Sequence, residues 1–187
     1  VRRISVVGNS GSGKTTLAAA IADVLGVPHL ELDSVFHQPG WEPLDKDVFR
    51  ARVAEVTAGD GWVIDGNYGS VQDLVWQRAD TVLWIDLPRR TVMRQLGART
   101  LRRMAIRQVL WNGNTESWRF LLSLDPAKSI LVWAWTQHRE YVRRYEAAAA
   151  DPANKHLTFV RVPSRAAGAR LVAGLAGQPP AGGTAGA

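Results

Sequence analysis

Eight residues near the start of the chain, Gly8-Asn9-Ser10-Gly11-Ser12-Gly13-Lys14-Thr15, constrain its architecture more than any others. They fit the pattern G-x-x-x-x-G-K-[ST]. Before them lies the β-branched run Arg3 to Val7; after them Leu17, Ile21, Val24 and Leu25 recur at helical spacing until Gly26 stops them. A strand, a glycine-rich turn and a helix in that order make backbone N–H groups converge at a helix N-terminus, where the dipole favours an anion. The pattern therefore predicts a polyphosphate site. Gly8, Ser10, Gly11, Ser12, Gly13 and Thr16 would surround the phosphates, Lys14 would reach the β- and γ-phosphates, and the Thr15 hydroxyl would meet Mg²⁺. The plainer reading, a chance Gly/Ser turn before a helix, fits poorly with the full motif in its full context.

The rest of the chain alternates between the two periods. Pro28 to Leu32 reads as a second strand, Leu44 to Ala58 as a helix, Trp62 to Ile64 as a third strand closed by Asp65-Gly66, and Thr81 to Leu87 as a strand buried on both faces and ended by Pro88. A helix is expected from Thr91 to about Val109, broken by Asn112-Gly113-Asn114, and another around residues 116 to 124. Asp125 and Pro126 suit the start of a helix running through Trp133, Tyr141 and Tyr145. Leu157 to Val162 is the fifth strand, Ser164 caps a last helix to about Leu175, and the Gly/Pro/Ala-rich residues 177–187 read as a disordered tail. Five strands alternating with helices imply βαβ units and a parallel sheet covered on both faces. Sites in such sheets lie beyond the C-terminal strand ends. Gly8 to Thr15, Asp33, Asp65 to Tyr68, Asp86 and Pro163-Ser164 all fall there.

A chain of 187 residues with 46% hydrophobic content supports one core, so residues 1–176 are expected to form a single domain. There is no cysteine, which excludes disulfides, thiol nucleophiles and zinc–thiolate sites. The absence of an apolar run of membrane-spanning length, and the opening directly into a strand, predict a cytoplasmic protein without a membrane partner. The net charge of +6 is unevenly spread: residues 27–80 hold ten acidic and four basic residues, whereas residues 87–146 hold twelve basic and four acidic ones. Such a bipolar chain suits a molecule that grips polyphosphate with one part and a less anionic group with another.

Three acids and a run of arginines are candidates for chemistry. Asp65 ends a strand at the same sheet edge as the glycine-rich loop, so its carboxylate is placed to hold Mg²⁺ through water; Asp86, at the end of the next strand, competes for this role. Asp33, just after the second strand, is placed to hold an acceptor hydroxyl and take its proton, or else to cap a helix. His37, Gln38 and Trp41 follow on a loop that would wall the acceptor pocket, and Trp41, Trp111 and Trp118 are placed to stack on a flat ligand, while Trp62, Trp76 and Trp84 belong to the core. Seven arginines stand between Asp86 and Glu116 without an acid among them. Arg94, Arg99 and Arg103 lie close to helical register, which suits either a phosphate-facing surface or a solvated basic helix.

In the stretches GNSGSGKTTLA, LDSVFHQPGW, WVIDGNY and ADTVLWIDLPRRTVMRQLGARTLRR the chain resembles the P-loop kinases related to adenylate kinase, and most closely the small proteins of that group known as DNA topology modulation proteins. The likeness covers roughly residues 3 to 175. It implies the three-layer P-loop NTPase sandwich, with sheet order 2-3-1-4-5 and a helical lid at about residues 89–125. It implies ATP and Mg²⁺ as well, an adenine pocket near Pro163, Arg94 just before the lid, and Arg99 and Arg103 as its phosphate-facing arginines. In those enzymes an Asp-Gly, an aromatic and then Pro-Arg close the third strand. Here Asp65-Gly66 and Tyr68 remain, but the Pro-Arg that would hold an acceptor phosphate is missing, which leaves Arg50 and Arg52 to hold the phosphate of a nucleoside monophosphate acceptor. Two functions compete: an ATP-dependent kinase acting on a small molecule or nucleotide, with Lys14, Asp33, Asp65, Arg99 and Arg103 as its catalytic groups, and a nucleic-acid-associated ATP-binding protein whose arginines grip a phosphate backbone.

Overall fold

The computed structural model describes residues 1–115 and 129–177. Within them the elements are β1 (Arg3–Gly8), α1 (Lys14–Leu25), β2 (His29–Glu31), α2 (Leu32–Phe36), α3 (Lys46–Thr57), β3 (Trp62–Asp65), α4 (Gly69–Arg78), β4 (Thr81–Ile85), α5 (Arg89–Ala105), α6 (Ile130–Ala150), β5 (Thr158–Val162) and α7 (Arg165–Ala176). The strands form one parallel sheet in the order β2-β3-β1-β4-β5. All residues of β3 and β4 are buried, which is why their sequences read as unbroken apolar runs rather than alternating ones.

Successive side chains leave a strand on opposite faces, and that alternation builds two cores. On one face Val7, Trp62, Ile64, Val82 and Trp84 meet Phe49 and Val53 of α3, Val71, Val75 and Trp76 of α4, and Tyr145 of α6. On the other, Ile4, Val6, Val63, Leu83 and Ile85 meet Ala18, Ile21 and Ala22 of α1 and Val92 of α5, with Leu171, Val172 and Leu175 of α7 packed alongside. The result is the expected three-layer P-loop sandwich. Phe49 and Trp62 are wholly buried, and a large apolar side chain so placed contributes on the order of 1.5–3 kcal/mol.

Several boundaries differ from expectation. Strand β2 gives way to α2 at Leu32, so the strand is shorter than expected and Asp33 stands in a helical turn. Helix α3 starts at Lys46 rather than Leu44 because the Asp45 carboxylate accepts from Asp47 N–H and Val48 N–H and fixes the first turn. Helix α5 ends at Ala105; beyond it Val109 and Thr115 form an antiparallel bridge around a 3₁₀ turn, Trp111–Gly113, in which Asn112 adopts φ 55°. Ser164 caps α7 as expected, its hydroxyl accepting from Ala167 N–H at 3.1 Å. The helix expected at residues 116–124, its neighbours Asp125 and Pro126, Trp118, and residues 178–187 of the expected tail lie outside the described residues. No described helix is long and apolar enough to cross a membrane.

Candidate active site

The glycine-rich loop is held in shape from three sides. Asn67, two residues beyond the end of β3, binds Gly8 twice: its amide oxygen accepts from Gly8 N–H at 3.1 Å and its amide nitrogen donates to Gly8 C=O at 2.6 Å. Tyr145 OH donates to the same Asn67 oxygen at 3.1 Å. Asn9 ties the loop to α6 by donating to Ala134 C=O at 2.8 Å. From α5, Leu96 sits so close that a Cβ on Gly11 would lie 2.7 Å from the leucine Cβ, so no other residue fits there. Gly13 adopts φ 92°, a left-handed conformation that glycine takes without strain, with open space among the described residues where a Cβ would be. Ser12 Oγ is buried and has no hydrogen-bond partner among the described residues, so it offers an unsatisfied polar atom to a ligand oxygen.

The carboxylates gather around Thr15. Its Oγ1 lies 2.8 Å from Asp65 Oδ2 and 3.1 Å from Glu31 Oε1. A hydroxyl has one proton to donate, so it satisfies only one of two ionised neighbours. A hard dication in this place would use the threonine lone pair and let both carboxylates act on its waters, which suits the magnesium-side role assigned to Thr15 and Asp65. Among the described residues no group of three or more His, Cys, Asp or Glu side chains forms a metal cage, so water and phosphate oxygens would complete the shell. Asp65 is 2% exposed and takes a second hydrogen bond from His29, whose Nε2 lies 2.9 Å from Oδ1. That bond raises the imidazole pKa against the effect of burial. Burial, and less strongly Asp65 and Asp33, raise the Glu31 pKa, while hydrogen bonds from Trp111 and Thr15 pull it down.

Lys14 Nζ is 3.3 Å from Asn9 C=O. Burial lowers its pKa, Asp33, Asp65 and Glu31 oppose that, and Arg99 adds to it. The loop lysine, three carboxylates and one arginine of α5 thus share one electrostatic neighbourhood. Arg99 also brings Nη2 to 3.4 Å from Ser10 Oγ. Arg103 is half-buried one turn further along α5; Arg94 on the same helix and Pro163 after β5 are exposed, and among the described residues no hydrogen bond or ion pair joins either of these two to the loop.

Asp33 does not cap α2; Tyr68 donates to its Oδ1 at 2.5 Å, and His37 Nε2 lies 3.4 Å from the same hydroxyl. Burial, then the Asp33 charge and hydrogen bond, push the Tyr68 hydroxyl far above its ordinary pKa, so it serves as a donor. His37 is shifted down by burial. Trp41 and Trp111 stand beside it, with ring centroids 5.2 and 6.1 Å away. Asp86, the rival of Asp65, is already paired with Arg161, whose Nε donates to it at 2.8 Å and whose guanidinium lies over Trp84. Arg50, a candidate for holding an acceptor phosphate, is committed to Asp73 through a bidentate pair at 2.8 and 2.7 Å.

Glu31 and His29 were not expected at the site; Asn67 and Tyr68 were expected at this rim, as part of Asp65 to Tyr68, but without a role. The only local signal of a role was their place beside the residues expected to act: Glu31 and Asp33 alternate across the end of β2, and Asn67-Tyr68 follow Asp65-Gly66.

No family model matches the chain. A stretch of 69 residues is 33% identical to a cytidylate kinase of Nitratidesulfovibrio vulgaris; it is 36% of this chain, and the chain spans 30% of the length of that relative. Among solved structures, shikimate kinase from Acinetobacter baumannii in complex with shikimate aligns with TM-score 0.55 at 15% identity, over 94% of this chain and 90% of that one. Shikimate kinase from Bacteroides thetaiotaomicron gives 0.52 at 16%, over 93% and 96%. At such identities the likeness establishes the fold alone, the three-layer P-loop sandwich.

Proposed function

We propose that the chain is an ATP- and Mg²⁺-dependent phosphotransferase that moves the γ-phosphoryl group to a hydroxyl of a small acceptor. The observation that carries this reading is the convergence of Lys14 and Thr15 with Asp65, Glu31 and Asp33 at one rim of the sheet. The rim combines a phosphate cradle, an oxygen-rich cation side and, across from them, a carboxylate suited to an alcohol. The stretch of likeness to a cytidylate kinase supports the same class of reaction.

In this reading Asp33 holds the acceptor hydroxyl, with Tyr68 fixing the carboxylate's orientation, and takes the proton as the oxygen–phosphorus bond forms and the bond to the leaving ADP oxygen breaks. Lys14 and Arg99 stabilise charge spread over the transferring oxygens. Thr15 would hold Mg²⁺ directly and Asp65 through water, and the ion would supply positive charge against that of the phosphates. Arg103 is the second phosphate-facing arginine of the lid, Arg94 stands just before it, and Pro163 packs near adenine. With Arg50 committed to Asp73 and the Pro-Arg absent, a hydroxyl-bearing metabolite is favoured over a nucleoside monophosphate. The nucleic-acid reading is weaker because Arg99 turns toward Ser10 of the loop.

The test is Lys14→Ala in an ATP-dependent phosphorylation screen over hydroxylated metabolites and nucleotides. Turnover should fall about 10²–10³-fold while circular dichroism stays unchanged, since the lysine acts on charge developing in the transition state. Equal turnover in both proteins, or no transfer by the wild type to any acceptor, overturns the proposal.

A further inference from the structure

Two short loops, far apart in sequence, grip each other beside this site. One follows α2 and is closed by an antiparallel bridge between His37 and Pro43; the other follows α5 and is closed by the bridge between Val109 and Thr115. Asn112 Nδ2 donates to His37 C=O at 2.5 Å and Asn114 Nδ2 to Gln38 C=O at 2.9 Å, while Trp41 gives its N–H to Asn114 Oδ1 at 2.9 Å and its indole N–H to Thr115 C=O at 3.2 Å. Asn114, only 4% exposed, has its amide fully engaged. Trp41 and Asn112 hold left-handed backbone angles, φ 63° and 55°, which cost on the order of 1 kcal/mol or more each and persist only where the surroundings impose them.

From this clasp Trp111 reaches inward, and its indole N–H donates to Glu31 Oε2 at 2.8 Å. The other oxygen of Glu31 is the one facing Thr15. Glu31 is half-buried and shares its surroundings with Asp65 and Asp33, so repulsion and desolvation both favour its turning away or its neutralisation. An N–H donor on the far oxygen opposes both: it satisfies the charged form and leaves one oxygen aimed at the threonine. The same helix that packs on Gly11 and carries Arg99 runs on into the Trp111 loop, so the clasp joins Arg99 of α5, the acceptor loop and the cation side.

We propose that Trp111 is a positioning residue for the magnesium side of the site, acting through Glu31 on the oxygen shell at Thr15. The proposal rests on the phosphotransferase reading for its cation, but not on the identity of the acceptor. Outer partners of this kind typically alter metal affinity by about 10–100-fold.

The experiment is calorimetric binding of a non-hydrolysable ATP analogue at increasing Mg²⁺, with wild type, Trp111→Phe, Glu31→Gln and the double variant. Phenylalanine keeps a ring and removes the donor; glutamine keeps an acceptor and removes the charge. Each single variant should raise the Mg²⁺ concentration needed for tight binding about tenfold, leave metal-free affinity within about twofold of wild type, and combine less than additively. A wild-type Mg²⁺ dependence in Glu31→Gln overturns the proposal, whether or not Trp111→Phe folds. So does a Trp111→Phe protein that has a lower Tm and normal Mg²⁺ dependence, since that outcome assigns the indole to packing alone. If the binding results are as expected but no hydroxyl compound is ever phosphorylated, the transfer reading fails while the positioning role stands.

Discussion

Asp65 and Asp80 stand at opposite rims of the same parallel sheet, and their surroundings differ in kind. Asp80, just ahead of β4, accepts from Arg2 N–H and Arg3 N–H at 3.1 and 3.0 Å and from the Arg3 guanidinium at 3.2 and 2.6 Å. Every lone pair that matters has a donor, and the carboxylate does nothing but fasten β1 to β4. Asp65, at the end of β3, is more deeply buried yet shares a single threonine proton with Glu31 and leans on a histidine. A buried carboxylate short of donors is costly unless something else completes it. Asp80 is saturated by its own chain; the acid at the rim of the glycine-rich loop is left under-supplied, which suits the cation proposed for it.

The sharpest way to break the contrast is Asp65→Asn. Mg²⁺-dependent turnover should drop about 10²-fold or more, whereas Asp86→Asn should change it less than about threefold, because Asp86 is already neutralised by Arg161. A steady-state comparison that ranked them the other way would move the magnesium-side acid to β4. A middle-sized effect is expected at Asn67. Asn67→Ala removes both bonds to Gly8 and should raise the KM for ATP about tenfold with a drop of a few degrees in Tm, each lost bond costing roughly 1 kcal/mol. Unchanged nucleotide affinity would show that the loop holds its shape without the clamp.

The smallest effect is expected at Asp80→Asn, which should leave turnover intact and lower stability by roughly 1 kcal/mol at pH 7 in urea unfolding, a modest figure because the pair is partly solvent-screened. Burial alone would raise the Asp80 pKa; Arg3 and the two backbone donors outweigh it and hold the pKa below the ordinary value. A carboxyl depressed in the folded state contributes stability that is fully present above its unfolded pKa, about 3.9, and is lost as pH falls through the folded value. The difference between wild type and variant should therefore be constant near neutrality and shrink below about pH 4. A difference that persisted unchanged at pH 2 would show that shape, not charge, is what Asp80 supplies.

Much of this was legible in the sequence, and the parts that were not share a cause. The glycine-rich loop, the strand pattern and Asp65 at its strand end all follow from local rules: turn chemistry, side-chain periodicity, and the placing of polar residues where an apolar run stops. Arg50 looked available for an acceptor and Asp86 for a metal because nothing near them in sequence contradicts it. Their partners, Asp73 and Arg161, lie 23 and 75 positions away. The end of α5 was misplaced because Ile106 to Val109 continue an apolar pattern, while Thr115 pairs back with Val109 and takes those residues out of the helix.

By itself the sequence determined that a glycine-rich loop between strand and helix would open a parallel α/β sheet with its acids at one rim. The order β2-β3-β1-β4-β5 entered by resemblance to related chains, and the structure bears it out. What only the tertiary structure decided is which acid meets which group. Glu31 and Asp65 become partners because β2 and β3 pair in the register that sets them side by side, and the indole of Trp111 arrives from 80 residues away. Strand register and loop–loop contact are settled by packing across the whole core, so no window of the chain contains them.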